Sequence, residues 1–253
     1  MPGFTAADAE RFVAALVLPF LRILALYSSA PLFSHRSVPR PARIGLAALT
    51  AALLAPTLPP APDVPLFSLG GLGLIVGEIA IGLAIGFFLQ LLFAAVELAG
   101  DAIGLQMGLS FAAFVDPQNQ APAPIVGNFL DIVLVLVFLA TDGHLALLGA
   151  LADSFARWPV GSPPGWGDAA TVLAQGAFLF EVGLRIALPV LGVLLMVNLA
   201  LGVLARTAPQ LNLFAVGFPL TLIGGLAALL LSMPAVVATM TRALAASLAR
   251  LGA

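Results

Sequence analysis

Three side chains in one apolar stretch could perform acid–base chemistry: Asp131, Asp142 and His144. Two aspartates that share a proton form the catalytic pair of an aspartate protease, and an acid beside a histidine can relay protons within a membrane. On one continuous helix, however, the eleven positions from Asp131 to Asp142 place their carboxylates about 16 Å apart, too far to share a proton. We therefore predict no catalytic residue and interpret Asp142-Gly143-His144 as a helix interruption or cap.

Other ionisable residues in the apolar runs each cost about 2.5–3.5 kcal/mol if they face lipid. They are Arg22, Glu78, Glu97, Glu181 and Arg185. We expect all of them to face protein or water. Glu181 and Arg185 are four positions apart with the acid first, which predicts a structural ion pair within one helix. Glu97 and Asp101 have the same spacing but the same charge, so they are expected to need water or an external cation nearby.

The composition is that of a membrane protein. Hydrophobic residues make up 61% of the chain and charged residues 9%, whereas soluble proteins carry about 25% charged residues. The mean hydropathy is +1.13, so membrane lipid is an expected partner. The ten arginines and lysines together form no basic run, which argues against nucleic-acid binding. With no cysteine and two isolated histidines, we predict no metal and no cofactor.

Six apolar runs are predicted to be helices, at residues 12–33, 44–58, 69–98, 125–151, 169–205 and 213–233. At about 1.5 Å per residue the second spans about 22 Å and the fifth about 55 Å, whereas a bilayer core measures about 30 Å. Three arginines at 36–43 indicate a cytoplasmic loop, yet six simple crossings would place Arg242 and Arg250 on the opposite side. We expect an all-α, integral membrane-type protein of one domain, 1–253, whose helices are arranged by neighbouring protein as well as by lipid.

Glycines recur at four-residue spacing along the third run, where a missing side chain lets another helix approach closely. Glu78, Gly82 and Gly86 share one stripe, so Glu78 is predicted to be buried at that contact and to hydrogen-bond a partner helix. We assign this stripe to a subunit interface. The predicted interface continues in the next glycine group, through Gly104, Gln106, Met107 and Gly108.

Several sequence blocks carry a family resemblance. They are GEIAIG at 77–82, GLQMGLSFAAFVDP at 104–117, TDGH at 141–144, RTAPQLN at 206–212 and VGFP at 216–219. In order and over nearly the whole chain, they resemble the FliR family of flagellar biosynthesis proteins, export-gate components of the type III secretion apparatus. The FVDP wording at 114–117 is similar to flagellar members more than to those of virulence systems.

The resemblance implies a structural and channel subunit rather than an enzyme. Such a subunit joins FliP and FliQ in a closed spiral of long, bent helical hairpins, raised relative to the bilayer. FlhB and FlhA are implied as further partners, and unfolded flagellar proteins as the exported substrates. The implied location is the bacterial inner membrane, at the flagellar basal body.

The resemblance also implies a function for a polar, proline-containing loop that interrupts the apolar sequence. In the family this loop projects into the channel axis and helps to close the resting gate. Phe111, Phe114 and Val115 could seal a narrow path by excluding water. Asp116 and Pro117 could start a turn that leaves no backbone facing lipid. A simple connecting loop is the alternative.

Other classes of function stay open at this point. Glu78, Asp131 and Asp142 at membrane depth would suit a small-solute or proton-coupled transporter, but the chain lacks internal repeats and its runs are too long. A membrane hydrolase has only Asp131 and His144 as candidates, without a recognisable catalytic motif. An export-gate homologue from a virulence system is a further alternative.

Overall fold

The computed structural model describes residues 6–59, 62, 64–109, 124–161, 169–208 and 213–252. In these ranges the chain forms helices and no strand, so the all-α prediction is confirmed. The helices are α1 Ala6–Ser29, α2 Pro31–Ser34, α3 Arg40–Leu54, α4 Leu69–Gln106, α5 Ile125–Ala140, α6 Gly143–Arg157, α7 Ala169–Thr207 and α8 Leu213–Gly252. A 3-10 turn, Ala55–Thr57, follows α3 directly.

Four of these helices are long and apolar enough to cross a membrane: α1, α4, α7 and α8. The pair α5 and α6 would add a fifth if it forms one broken span. The helices α4, α7 and α8 contain 38, 39 and 40 residues. They are therefore about 57–60 Å long, about twice the thickness of a bilayer core. Helices of this length agree with the expectation that protein neighbours, as well as lipid, determine how they lie.

The apolar run at 125–151 is interrupted where the sequence indicated, which confirms the structural interpretation of Asp142-Gly143-His144. Helix α5 ends at Ala140, and Asp142 adopts a left-handed conformation with φ of 54°. The Asp142 carbonyl then accepts hydrogen bonds from the backbone N–H groups of Leu145 at 2.9 Å and Ala146 at 3.1 Å, which begin α6. A short polar side chain tolerates the left-handed region better than a bulky one does.

Helix α8 continues well beyond residue 233, where its apolar run was predicted to end. Pro234 and Arg242, which follow the predicted end of the run, both lie inside the helix. Hydropathy and helix propensity differ here, because alanine, leucine and arginine favour a helix whether or not it is apolar. Neighbouring groups can compensate for the backbone hydrogen bond that a proline removes from a membrane helix. Pro189 lies inside α7 in the same way.

The chain divides into two compact units. The first contains Met1–Leu91, Asp142–Leu173 and Ala246–Ala253, and the second contains Leu92–Thr141 and Ala174–Ala245. Buried side chains of α1, α4 and α6 form the core of the first unit, among them Leu18, Leu26, Leu89, Leu151 and Phe155. Those of α4, α5, α7 and α8 form the core of the second, among them Ile103, Leu134, Ile186, Leu194 and Met240. One integrated domain over 1–253 stays a prediction.

The glycine stripe of α4 packs against α1 of the same chain. A Cβ added at Gly82 would meet the carbonyl oxygen of Arg22, and one at Gly86 would meet Ser29. Both contacts lie within the first unit. In the second unit, a Cβ added at Gly100 would meet the backbone of Gly127 on α5. The close helix approach predicted from the glycine spacing is therefore present, but the approaching helices belong to this chain. A role for these glycines toward another subunit stays a prediction.

We expect Gly82→Ala to lower the yield of folded protein. The substitution raises helix propensity by about 1 kcal/mol, but its methyl group would overlap the backbone of α1, and such overpacking costs about 1–3 kcal/mol. Gly73→Ala is the matched control, because it lies in the same helix with no atom within 4 Å of its added Cβ. The measurement is the monodisperse fraction after detergent extraction. Equal yields of the two variants would contradict the assigned contact.

Candidate functional site

A buried arginine lies at the centre of the first unit. Arg22 on α1 is 0% exposed and Glu78 on α4 is 2% exposed. Arg22 donates from Nε to Glu78 Oε2 at 2.7 Å and from Nη2 to Glu78 Oε1 at 3.0 Å. This is the bidentate geometry in which a guanidinium and a carboxylate bind most strongly. The pair places no net charge in the core of the unit.

The remaining contacts of Arg22 come from the C-terminal end of α6. Its Nη1 donates to Ser154 Oγ at 3.2 Å, and its Nη2 donates to the carbonyl oxygen of Trp158 at 2.9 Å. The guanidinium carbon lies 4.1 Å from the centre of the Phe155 ring, within the range of a cation–π contact. We call Arg22, Glu78, Ser154, Phe155 and Trp158 the arginine cluster. It joins α1, α4 and α6, and its polar groups bind one another.

The arginine cluster provides the hydrogen-bond partner that the sequence predicted for Glu78. That partner lies 56 residues away in the same chain, so the burial of Glu78 requires no second subunit. Sequence reasoning identified both residues as charges at membrane depth but did not pair them. The sequence did contain a signal for this pairing, because Arg22 and Glu78 have opposite charges. The other arginine in an apolar run, Arg185, already has Glu181 at helical spacing.

The second predicted pair forms on the surface of the second unit. Arg185 Nη2 lies 2.7 Å from Glu181 Oε1, at the predicted i,i+4 spacing. The two side chains are 62% and 56% exposed. Between them, Gly183 faces α4, where an added Cβ would lie 2.8 Å from the carbonyl oxygen of Ala95. The ion pair therefore occupies an exposed face of α7 beside a close helix contact.

Three carboxylates lie where α4 and α5 cross in the second unit. An added Cβ on Gly127 would lie 3.7 Å from Asp101 Oδ1 and 3.7 Å from the carbonyl oxygen of Glu97. Asp131 follows Gly127 by one helical turn and experiences the charges of both acids. Its Oδ1 is buried without a hydrogen-bond partner. Among the residues that the structure describes, no arginine forms an ion pair with these three carboxylates.

The arrangement of these acids does not resemble a metal centre. In the described ranges, no group of three or more histidine, aspartate or glutamate side chains could hold a metal ion. Asp131 belongs to the second unit, whereas Asp142 and His144 belong to the first. The imidazole Nδ1 of His144 is buried without a hydrogen-bond partner.

The block 104–109 forms the C-terminal cap of α4. Gly108 has φ of 82°, in the left-handed region that favours glycine. The N–H of Leu109 donates to the carbonyl of Gly104 at 3.0 Å, and the N–H of Gly108 donates to that of Leu105 at 3.0 Å. These two bonds define a Schellman motif, which ends a helix at a glycine. Of the predicted interface residues here, Met107 is fully buried, and Gly104, Gln106 and Gly108 are half-buried.

The predicted gate residues follow this cap directly. Phe111, Phe114, Val115, Asp116 and Pro117 lie outside the described residues. The structure therefore places the stem of the loop, through Leu109, and the start of α5 at Ile125, which follows it.

We expect Arg22→Met and Glu78→Met each to destabilise the protein by about 3–5 kcal/mol, because each leaves one buried charge unpaired. The double variant should be more stable than either single variant, since two apolar side chains of similar length replace the pair. The measurement is a double-mutant cycle on thermal unfolding of the detergent-extracted protein.

Glu181 and Arg185 give a matched control, because they form the same type of pair on the surface. Because these two side chains are exposed, their double-mutant cycle should show a much smaller coupling energy than that of Arg22 and Glu78. If the Arg22 and Glu78 effects were simply additive, the two side chains would not be acting as a pair.

Comparison with known proteins agrees with the sequence blocks. Residues 13–247 match the family described as bacterial export proteins, family 1. The chain is 48% identical to the flagellar biosynthetic protein FliR of Escherichia coli (strain K12) over 217 residues, 85% of this chain and 83% of that protein. It is 45% identical to FliR of Pectobacterium carotovorum subsp. carotovorum over 235 residues, 92% and 90% of the two chains. It is 37% identical to FliR of Bacillus subtilis (strain 168) over 210 residues, 81% of each. The predicted resemblance is confirmed: this chain belongs to the FliR family of membrane proteins of the bacterial flagellar export apparatus.

Proposed function

We propose that this chain is a structural, channel-forming subunit of the flagellar export gate in the bacterial inner membrane, at the flagellar basal body. In this proposal it joins FliP and FliQ in a closed spiral of helices, and FlhB and FlhA are neighbouring partners. The conduit carries unfolded flagellar proteins. The match of residues 13–247 to a family of bacterial export proteins is the observation that carries the proposal.

The exposed surface of the second unit supports a function within an assembly. Only 28% of the apolar window of α7 and 33% of that of α8 is buried, against 44% for α1 and α4. Large aliphatic side chains on these two helices are exposed, among them Leu195, Leu199, Leu230 and Leu231. Glu181 and Arg185 interrupt the apolar surface of α7. Because charges facing lipid cost about 2.5–3.5 kcal/mol each, protein is a better neighbour than lipid for this face.

The carboxylates at the α4–α5 crossing also support a function within an assembly. Glu97 and Asp101 are exposed, and Asp131 has a buried oxygen without a hydrogen-bond partner. In the described part of this unit no arginine forms an ion pair with these three acids, so they repel one another unless water or a positive charge is near. In an assembly, a partner subunit or a water-filled conduit can supply either.

The loop that contains Phe111, Phe114 and Val115 is proposed to help close the resting conduit. The loop follows the cap of α4, in which Met107 is buried and the backbone hydrogen bonds of a Schellman motif are formed. Apolar side chains can exclude water and ions from a narrow path, and a short loop can move aside without unfolding the helices. Asp116 and Pro117 are proposed to direct the loop by starting a turn.

A proton-coupled transporter is the alternative with one observation in its favour, the unpartnered carboxylate oxygen of Asp131. A transporter should be stable alone or as a symmetric oligomer. An export-gate subunit should depend on other proteins, because its exposed face is built for them.

We expect the tagged chain to copurify with FliP and FliQ and to accumulate poorly when either is absent. The reason is that the exposed apolar and charged face of α7 needs protein neighbours. Copurification from cells that contain or lack each partner measures this. A chain that accumulates equally without FliP and FliQ, as a stable monomer or symmetric oligomer, would contradict the proposal.

We expect replacement of Phe111, Phe114 and Val115 by Ser to leave assembly intact but to make the closed complex conduct small ions. The apolar seal would be lost while the helices that carry it stay unchanged. Conductance of the purified complex in planar bilayers tests this, with wild type as the tight reference. A complex that lacks the loop, assembles normally and stays as tight as wild type would show that the loop only connects two helices.

A further inference from the structure

Helices α1 and α3 of the first unit form a hairpin that is held by side-chain contacts. Tyr27 is 1% exposed, and its hydroxyl lies 3.1 Å from Thr50 Oγ1. The Tyr27 ring also stacks on the ring of Phe33, with 4.5 Å between the ring centres. Nearer the turn, Arg43 Nε donates to the carbonyl oxygen of Phe33 at 3.0 Å. The two helices therefore run in opposite directions, and the first turn of α3 is fixed at the C-terminal end of α1.

The turn of this hairpin carries three arginines, Arg36, Arg40 and Arg43, which we call the arginine turn. The first two are exposed and the third is half-buried. In the part of the chain that the structure describes, no carboxylate forms an ion pair with them. The sequence contains no aspartate or glutamate from residue 11 to residue 62. The arginine turn is thus a concentrated positive charge without an acid of its own segment to balance it.

The donors of the arginine turn suit a phosphate group. A guanidinium has five N–H donors, and the described hydrogen bond of Arg43 uses only the one on Nε. The bond holds this side chain in place while its Nη groups stay available to a ligand. Guanidinium groups bind phosphate oxygens through paired, charge-assisted hydrogen bonds. The arginine turn therefore presents the chemistry that recognises a phosphate.

An apolar stripe runs from the arginine turn along the exposed side of α3. Leu46, Leu49 and Leu53 recur at three- and four-residue spacing, which places them on one face of the helix. They are 41%, 59% and 70% exposed, and we call them the leucine stripe. The stripe ends at Leu53, about 15 Å along the helix axis from Arg43, which is half of a bilayer core of about 30 Å. A positive end and an apolar stripe of this length match the dimensions of one phospholipid.

We propose that the arginine turn and the leucine stripe bind an anionic phospholipid of the cytoplasmic leaflet. The arginines bind the headgroup phosphate, and the leucines contact an acyl chain. The positive charge favours an anionic headgroup, and the wholly aliphatic stripe favours a lipid over an acidic protein segment. The excess of arginine in this turn indicates the cytoplasmic leaflet. This site lies within the first unit, and it requires none of the partner subunits proposed above.

The test uses the purified assembly in which the chain accumulates, in detergent micelles to which one phospholipid is added. Native mass spectrometry measures the binding of phosphatidylglycerol and of phosphatidylcholine with the same acyl chains. We expect wild type to bind phosphatidylglycerol more tightly, because only this lipid has a net negative headgroup. The preference should decrease as the salt concentration rises, because salt screens exposed charges.

Variants of the arginine turn test the headgroup contact. Arg36→Gln, Arg40→Gln and Arg43→Gln are made singly, since loss of all three would also remove the charge bias that orients the chain. Each should lower the preference for phosphatidylglycerol about fivefold, the factor that one basic residue contributes near an anionic surface. Arg242→Gln is the matched control, because Arg242 is also exposed and its Nε likewise donates to a backbone carbonyl, that of Ala238. This control should bind both lipids as wild type does.

A second pair of variants tests the acyl contact. Leu49→Ala should weaken the binding of both lipids by the same factor, because it removes a contact that their common acyl chains make. Ile44→Ala is the matched control, since Ile44 is also exposed on α3 but lies away from the leucine stripe. It should leave the binding of both lipids unchanged. Equal effects of the two variants would contradict the assigned stripe.

The outcomes separate a lipid from other ligands of the same surface. Equal binding of the two lipids by wild type, or an unchanged preference in all three arginine variants, overturns the inference. Glycerophosphoglycerol, the same headgroup without acyl chains, should compete only weakly. If it competes as well as the lipid, the turn binds soluble phosphates and the lipid assignment is wrong.

An acidic protein is the other ligand that the test can detect. If the arginine variants lose a copurifying protein while their lipid preference stays that of wild type, the surface docks a protein and the inference fails. If Arg43→Gln does not accumulate, Arg36→Gln decides, because no described hydrogen bond uses the Arg36 side chain. Copurification with FliP and FliQ is measured separately, so failure of the lipid site and failure of the proposed function give different results.

Discussion

The bidentate pair between Arg22 and Glu78 is the interaction on which the first unit depends. A guanidinium without water needs a partner for its charge and for its N–H groups, and α4 and α6 supply them through Glu78, Ser154 and the carbonyl of Trp158. These groups come from three helices that are far apart in the sequence. The pair therefore specifies which helices meet and at which level, because sliding any one of them by a turn would leave a buried charge unpaired.

Small residues allow the helices to come close enough for this specificity. Gly82 lets α4 approach the backbone of α1 at Arg22, Gly86 lets it approach Ser29 at the end of α1, and Gly100 lets it approach α5. Close backbone approach increases van der Waals contact, which matters where lipid reduces the hydrophobic drive between helices. One long helix thus uses glycine for packing in both units. A further glycine, Gly108, lies in the C-terminal cap of this helix, where it adopts a left-handed backbone conformation.

The polar groups of the arginine cluster bind one another inside the first unit, whereas several charged groups of the second unit lie on its faces. Glu181 with Arg185, and Glu97 and Asp101 at the α4–α5 crossing, are exposed among apolar side chains. A soluble protein would present such groups to water and a simple membrane protein would exclude them from lipid. Their combination fits a subunit whose neighbours are other proteins of the export apparatus. Contact between helices also reaches the end of α4. There Thr221 of α8 donates a hydrogen bond to the carbonyl oxygen of Met107, which precedes the predicted gate loop.

The sequence alone determined the class, the helices and the family. Composition required a membrane protein, the i,i+4 spacing predicted the Glu181–Arg185 pair, and Asp142-Gly143 marked a helix break. These properties are local, so periodicity and residue type are sufficient to predict them. The tertiary structure decided that Glu78 binds Arg22, that the glycine stripe packs on α1, and that Thr221 binds the carbonyl of Met107. Hydropathy could not give these contacts, nor the extension of α8 through Pro234, because a buried charge or a missing side chain specifies that a neighbour exists but not which one.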